Sequence, residues 1–430
     1  MIEGGNRPFP PKGMAGEMGN SLGSTSMRLV GILFFLTFAV AILPAFSQLG
    51  REDSQERLQV EVTGDPAPAE FVARAVGRAL AWTYAEPLSP VFLTTASDLP
   101  YGRESQLRVR VQGRTSDGTA TVRVLPVMVR NVPVPWKDAS MLFVSNSPET
   151  LAWSTGLFRG ALELGEVARL LYHHRNGARD RPMHLVVRVA NPSPRPARIW
   201  VSDAHAGPVR DPLHAGHTAA SRWLRLYWSE AGQVLEVPGH TTRSLSTMTL
   251  PPDHVGSGIL QVRLLQGKGV VVDVAGIREG DLEPAQESYL INRDSKHLRG
   301  TFPSPRRDLS LRYTSSGPTT VLIGRADPQN GPPSGEISYG TYGVIYNIRV
   351  DLINPGRMAH QVVVRVSALA GPVMGTFLVD RTVVELPLLR RGVPGTLTRI
   401  PLEPFGRRLF FLSTMPEAGS TYPIQVVLSR

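Results

Sequence analysis

Residues 185–209 read LVVRVANPSPRPARIWVSDAHAGPV, and residues 348–373 read IRVDLINPGRMAHQVVVRVSALAGPV. Each opens with apolar residues alternating with polar or charged ones, the two-residue period of a half-buried strand. Each then meets Asn-Pro, crosses a polar turn, enters a second strand-like run and reaches Ala-Gly-Pro-Val. From the Asn to that Ala is 15 residues in one stretch and 16 in the other. Proline has no N–H and a fixed φ, so it ends a ladder, while Asn before it favours extended backbone and caps its own turn. The Asn-Pro therefore has a structural job and is assigned no function. Two stretches of one construction predict two related sandwich domains.

Working outward, Arg159-Gly160 and Arg299-Gly300 lie upstream of the two stretches, and Val237-Pro238-Gly239 and Val393-Pro394-Gly395 lie downstream, in the same order. The interval from Arg-Gly to Asn-Pro is 23 residues longer in the second copy. It contains Gln329-Asn330-Gly331-Pro332-Pro333-Ser334-Gly335, read as an exposed loop. Other strand-like runs, broken by Pro, Gly and Asn, are Val167–His173, Leu185–Ala190, Ile259–Leu264, Val270–Val274, Leu309–Tyr313, Tyr346–Ile353, Val362–Val366 and Ile424–Leu428. Before residue 141 the pattern differs. Leu58, Val60 and Val62 alternate; Asp65-Pro66 can start a helix; Val72, Ala75, Val76, Ala79 and Leu80 form one helical face. Two further strands, Leu107–Val111 and Thr121–Val124, flank the turn residues Thr115-Ser116-Asp117-Gly118. The expected fold is mainly β: a small N-terminal α+β domain (57–140) followed by two tandem, related Ig-like β-sandwich domains (141–283 and 298–430) joined by a linker at 284–297.

The 430 residues include no cysteine, so disulfides, thiolate metal sites and cysteine nucleophiles are excluded. Arg28, the uncharged run Leu29–Leu43 and then Pro44, Ala45, Phe46 and Ser47 have the order of a secretory signal peptide, with cleavage expected after Ser47. Residues 1–47 are thus a signal peptide with an extended N-terminus, and Met27 is the expected true start. The apolar run is short of the roughly 20 residues of a membrane span. Anchoring by residues 29–46 is the alternative. The expected location is extracellular or cell envelope. Gly19-Asn20-Ser21-Leu22-Gly23 matches a serine-hydrolase elbow, but it precedes the leader and lacks the strand-turn-helix context that motif requires.

The net charge of +10 would suggest nucleic acid in a cytosolic chain. In an exported one the expected partners are an anionic cell-wall polymer, a polysaccharide or another envelope protein, and no nucleic acid. The arginines are spread along the chain, so most are expected on solvated strand faces. Residues 1–47 carry Arg7, Lys12 and Arg28 against Glu3 and Glu17, so cleavage leaves about +9.

His205, His214 and His217, with Asp203 and Asp211, could ligate zinc or copper. The stretch is broken by Gly and Pro, so a polar loop is the preferred reading. His173 and His174 point to opposite faces of a strand, with Tyr172 to Gly177 ending that strand in a turn. Arg222-Trp223-Leu224-Arg225-Leu226-Tyr227-Trp228 could stack on sugar rings. A packed helix running from a Thr218 cap to Gly232 is preferred, since Ala220, Trp223, Leu224, Tyr227 and Trp228 share a face. Tyr339-Gly340-Thr341-Tyr342-Gly343-Val344-Ile345-Tyr346 is read as a strand with its tyrosines in the core and hydroxyls at the rim, against a carbohydrate platform. No H-E-x-x-H, P-loop or dinucleotide fingerprint is present. Accordingly no catalytic, cofactor-binding or metal residue is assigned, and no cofactor is expected.

The run from Tyr339 to Tyr346, leading through an alternating strand to Asn354-Pro355, resembles a signature of an uncharacterised family of exported bacterial β-sandwich proteins. The likeness covers residues 298–430 at most and departs in the long segment before the run. It implies location and fold only. The strand–Asn-Pro–strand units are also similar to immunoglobulin-like modules of surface proteins. The resulting expectation is a non-enzymatic envelope protein acting in binding or structure. The alternatives are a carbohydrate-active enzyme or its accessory binding module, and a metal binder. Mass analysis of the precursor and the exported protein is expected to find no peptide from residues 1–26 and a mature N-terminus at Gln48. A peptide from residues 1–26 overturns the Met27 start.

Overall fold

The structure is a computed structural model. It describes residues 58–84, 90–114, 120–282, 284, 293–325, 328–331 and 336–430. The expected leader, the Gly19–Gly23 motif, the Thr115–Gly118 turn and Pro332–Gly335 lie outside the described residues.

The first part of the chain is β1 (Leu58–Thr63), α1 (Ala69–Tyr84), β2 (Val91–Phe92), β3 (Glu104–Arg114) and β4 (Ala120–Asn131). Phe71, Val72, Val76 and Leu80 of α1 are fully buried, at about 1.5–3 kcal/mol each. The sequence points to Asp65-Pro66 as the start of this helix. The acceptor at its first residue is instead Asp98, whose Oδ1 takes the Ala69 N–H at 2.8 Å.

Next come β5 (Met141–Ser145), β6 (Thr150–Leu151), β7 (Thr155–Ala161), β8 (Val167–Asn176), β9 (Met183–Asn191), β10 (Ala197–Val209), α2 (Pro212–Trp228), β11 (Gly232–Val237), β12 (Thr241–Leu250), β13 (Val255–Gln266) and β14 (Val271–Arg278). The last part holds β15 (Arg299–Pro303), β16 (Arg306–Tyr313), β17 (Thr319–Ile323), β18 (Gln329–Gly331), β19 (Glu336–Ser338), β20 (Ile345–Ile353), β21 (His360–Ala368), β22 (Val373–Val379), β23 (Thr382–Leu389), β24 (Gly395–Leu402), β25 (Arg407–Thr414) and β26 (Ile424–Ser429). The chain is mainly β, with sandwich-like sheet pairs and a small α+β segment at the start. Gln329–Gly331, expected within a loop, pairs with Glu336–Ser338 as a short ribbon.

An 11-stranded sheet runs β15-β5-β8-β13-β10-β11-β1-β4-β3-β2, with β6 on β8, and crosses residue 140 without a break because β1 pairs with β11. The sheet β12-β9-β14-β7 covers one face of it, and Leu185, Val187 and Val272 meet Ile199, Leu260 and Val262 in one core. A second pair of sheets, β16-β20-β25-β22-β23 and β17-β26-β21-β24, encloses another core around Phe377, Phe410 and Val364. The two pairs share one topology. The stretch β5-β8-β13-β10-β11 matches β16-β20-β25-β22-β23, including a parallel first step in each, and β12-β9-β14-β7 matches β24-β21-β26-β17.

That match places the repeat in a different register from the Asn-Pro alignment. Leu185–Ala190 of β9 corresponds to Val362–Ser367 of β21, and β20, which Asn354 follows, corresponds to β8, which ends at Asn176. Arg299-Gly300 falls in β15, an edge strand of the long sheet, whereas Arg159-Gly160 falls in β7. Only Val-Pro-Gly lies at the same junction in both units. The reason is chemical: Asn176, Asn191 and Asn354 all make the same turn. Each Oδ1 accepts the N–H two residues on, and each Nδ2 donates to carbonyls of the turn and of a distant strand end, Leu250, Val237 and Leu402 respectively. One turn solution used at non-equivalent hairpins makes a misleading anchor.

The two sandwiches meet across α2, which packs on β10 and β13 and also against β22. Asp211 caps the helix by accepting from the Leu213 and His214 N–H groups, and Pro212 occupies its first turn. Arg169 of β8 is 1% exposed. Its Nη1 donates to the carbonyls of Pro305 (3.0 Å) and Gly343 (2.8 Å), its Nη2 to Gln261, and its plane covers Trp223 at 4.9 Å. Burial lowers its pKa to about 10, so it stays charged at neutral pH. Gly216 sits against Ala418: a Cβ there would lie 1.7 Å from the Ala418 carbonyl oxygen. Beside it, His217 Nδ1 lies 2.8 Å from an oxygen of the fully buried Glu417, whose other oxygen accepts from the Thr376 N–H. Glu385 faces the other ring nitrogen at 3.9 Å and also accepts from Ser221 and Arg225.

Two tests follow from this junction. Arg169→Ala orphans the Gly343 carbonyl and takes the second donor from that of Pro305, which keeps the Ile345 N–H, and is expected to cost about 2 kcal/mol in urea unfolding, with Arg169→Lys recovering part of it. A loss under about 0.5 kcal/mol would remove Arg169 from this role. The His217–Glu417 pair gives a pH signature. Burial draws His217 down, but the Glu417 and Glu385 carboxylates outweigh it and the net shift is upward; burial pushes Glu417 up as well. Both groups thus hold a proton more tightly when folded. Their stabilisation is complete at low pH; the Glu417 part begins to fall above the ordinary Glu value of 4.5 and the His217 part above the ordinary His value of 6.5, each being lost as pH rises through its raised value. Thermal unfolding from pH 6 upward should show that decline in the native chain and a flatter profile in Glu417→Gln. Equal slopes would rule the pair out as its source.

Candidate functional site

The outer face of the sheet β16-β20-β25-β22 carries a groove of about 410 Å³. Strand alternation builds it: Ile348, Val350, Phe410 and Leu412 point into the core, so Asn347, Arg349, Phe411 and Ser413 point outward. Registers set these residues in rows. Asp308, Asn347 and Ser413 stand opposite one another, with Leu378 next to Ser413. The adjacent row is Ser310, Arg349 and Phe411, and Asp380 closes it through its N–H to the Phe411 carbonyl. Trp228, the last residue of α2, forms a wall.

The first row is hydrogen-bonded along its length. Ser413 Oγ donates to Asn347 Oδ1 at 2.9 Å, Asn347 Nδ2 donates to Asp308 Oδ1 at 3.0 Å, and Arg306 Nε donates to both Asp308 oxygens at 2.9 Å. Arg306 also holds Asp138, which accepts from the Tyr227 hydroxyl at 2.6 Å. The polar floor is thereby tied to α2 and fixed before any ligand arrives. Burial raises the Asp308 carboxyl, but the bonds from Asn347 and Arg306 outweigh it and hold it below the usual range. A carboxyl so held is an acceptor and not a proton donor. The apolar elements are Phe411, 50% exposed, and the Trp228 ring, whose Nε1 has no hydrogen-bond partner among the described residues.

The residues singled out in the sequence are dispersed. His214 and His217 lie on α2 and not in a loop, because Asp211 and Pro212 start a helix where Gly and Pro suggested a break. That helix starts six residues before Thr218 and stops at Trp228, short of Gly232. Asp203 lies on β10, where the buried Arg78 donates to it at 2.6 Å; its other oxygen has no hydrogen-bond partner among the described residues. Among the described residues no three His, Asp or Glu side chains are grouped to hold a metal ion. His173 and His174 are both buried, and their strand continues to Asn176 before turning. His174 Nε2 lies 2.9 Å from Ser145 Oγ, and burial lowers its pKa to about 3. With Ser145 and His174 wholly buried, the pair has no opening to a substrate.

Trp223 and Leu224 are buried as expected, and Trp228 packs, partly buried, against the same core while also lining the groove. Tyr342 precedes β20 instead of lying within it; its hydroxyl donates to the Ser420 carbonyl, and Tyr346 bonds Thr341 in the core. The groove itself was missed. Its signal was the alternation of polar residues along Asn347-Ile348-Arg349-Val350-Asp351, which reads as an ordinary solvated face until a wall stands over it.

No family model matches the chain, and no curated protein does. Similar solved structures include Lac15 from a marine microbial metagenome (11% identity, 76% of this chain and 73% of that one, TM-score 0.15). The PBSX exported protein XepA matches at 10% identity over 74% of this chain and 93% of its own, with a TM-score of 0.16. The N-terminal CBM22-1–CBM22-2 tandem domain of Xyn10C from Paenibacillus barcinonensis matches at 9% identity over 69% and 99%, with a TM-score of 0.13. TM-scores of this size bear on neither activity nor ligand.

Proposed function

We propose that this is an exported, non-enzymatic binding protein whose groove on the second sandwich takes a polysaccharide chain. The observation that carries the reading is the groove's composition. A half-exposed Phe411 and the Trp228 ring stand over the pre-bonded row Ser413–Asn347–Asp308. Sugar rings present apolar C–H faces to aromatics and hydroxyls to fixed acceptors, and a floor already ordered costs little entropy on binding. The sequence supports export through the leader at 1–47; among the described residues no helix is long and apolar enough to cross a membrane.

Affinity electrophoresis through gels containing soluble polysaccharides tests the reading. At least one should retard the protein. Phe411→Ala and Trp228→Ala should each weaken that retardation about tenfold, with unfolding temperatures close to the parent's. No retardation by any polymer, or retardation unchanged in the double variant, overturns it.

A further inference from the structure

Resting on that reading, we propose that the polysaccharide is anionic and carries ring carboxylates, as uronic acid polymers do, with Arg349 as the residue that selects them. Charge is distributed unevenly around the groove. Arg306, Arg312, Arg349, Arg407 and Arg408 stand beside four aspartates, and each aspartate is already taken. Asp138 and Asp308 accept from Arg306, Asp351 from Arg407 through both oxygens at 2.7 and 2.8 Å, and Asp380 from Arg408 at 3.0 Å. Arg349 is exposed and has no side-chain hydrogen bond or ion pair within 4 Å among the described residues. Asp351, two residues along the same strand, feels its charge, but both Asp351 oxygens are held by Arg407, so the Arg349 fork keeps its hydrogen-bonding capacity for a ligand.

Its position gives the charge a use. Arg349 stands directly opposite Phe411 and next to Ser310. Opposed side chains on neighbouring strands start about 5 Å apart, roughly the width of one pyranose ring. A sugar stacked on Phe411 would therefore bring a carboxylate on its ring within reach of the Arg349 fork, which matches two carboxylate oxygens at once. A neutral sugar leaves that cation with water alone.

The experiment compares polygalacturonate, the same polymer with its carboxyls reduced to alcohols, and a phosphate-bearing wall polymer, using the full-length protein and its Arg349→Ala, Arg349→Lys and Phe411→Ala variants. Expected is binding to polygalacturonate that falls about tenfold or more on carboxyl reduction, with Arg349→Ala abolishing that difference and Arg349→Lys restoring part of it. Bulk attraction to a chain of net charge +10 would survive loss of one arginine, so an unaltered Arg349→Ala overturns the proposal. Equal binding to the reduced polymer also overturns it, while leaving the groove reading intact if Phe411→Ala still fails to bind. Preference for the phosphate polymer overturns the carboxylate assignment. Binding to none of the three defeats the groove reading itself.

Discussion

A guanidinium taken out of water must find acceptors on every side, and Arg169 finds them in the chain beyond its own sandwich. It projects from β8 and reaches the carbonyls of Pro305 and Gly343, which flank the entry to β16 and β20. The Pro305 carbonyl also accepts from the Ile345 N–H at 3.0 Å, whereas the Gly343 carbonyl has Arg169 as its donor and would lose it if Arg169 were absent. The cation thereby fixes where the second sandwich begins relative to the first. Trp223 and Tyr227 of α2 lie against its plane, so the same group also sets the helix.

The seating of α2 then determines the site. Gly216 lets the helix backbone approach Ala418 to a distance no side chain would allow, and His217 closes on the second oxygen of the buried Glu417, whose first accepts from the Thr376 N–H. About three turns along, Trp228 stands over the groove. Tyr227 meanwhile holds Asp138, which shares Arg306 with the groove's Asp308. The wall of the groove therefore comes from one helix and its floor is tied to that same helix, which belongs in sequence to the other sandwich.

Much of this architecture was legible from alternation alone. The runs ending in Val189, Val366 and Leu428 show the two-residue period because one face of each is buried by the opposing sheet. The face of α1 was legible for the corresponding reason at the helical period. What alternation could not convey was partnership across the chain. Asp203 and His217 sit near each other in sequence, yet one meets Arg78 and the other Glu417, because strand and helix carry them to different seams. Asn-Pro misled in the same way, since it records a turn chemistry that occurs at three places, two of them equivalent and the third not. The groove was hidden because its residues are drawn chiefly from β16, β20, β22, β25 and α2, no two of which are consecutive elements of the chain.

The shared topology explains why only one sandwich offers an open face. Between β10 and β11 the first unit inserts the 17 residues of α2, which fold back over the outer face of β10 and β13. Leu171, Ala204 and Ile259 there are buried beneath it. In the second unit the corresponding strands, β22 and β23, are joined only by Asp380 and Arg381. No helix can form in two residues, so the corresponding face remains in solvent, and its outward positions are Asn347, Arg349, Phe411 and Ser413 instead of Leu, Ala and Ile. A single difference in connection length thus separates a buried seam from a groove. The helix that closes the first face supplies, through Trp228, the wall that turns the second from a flat sheet into a site.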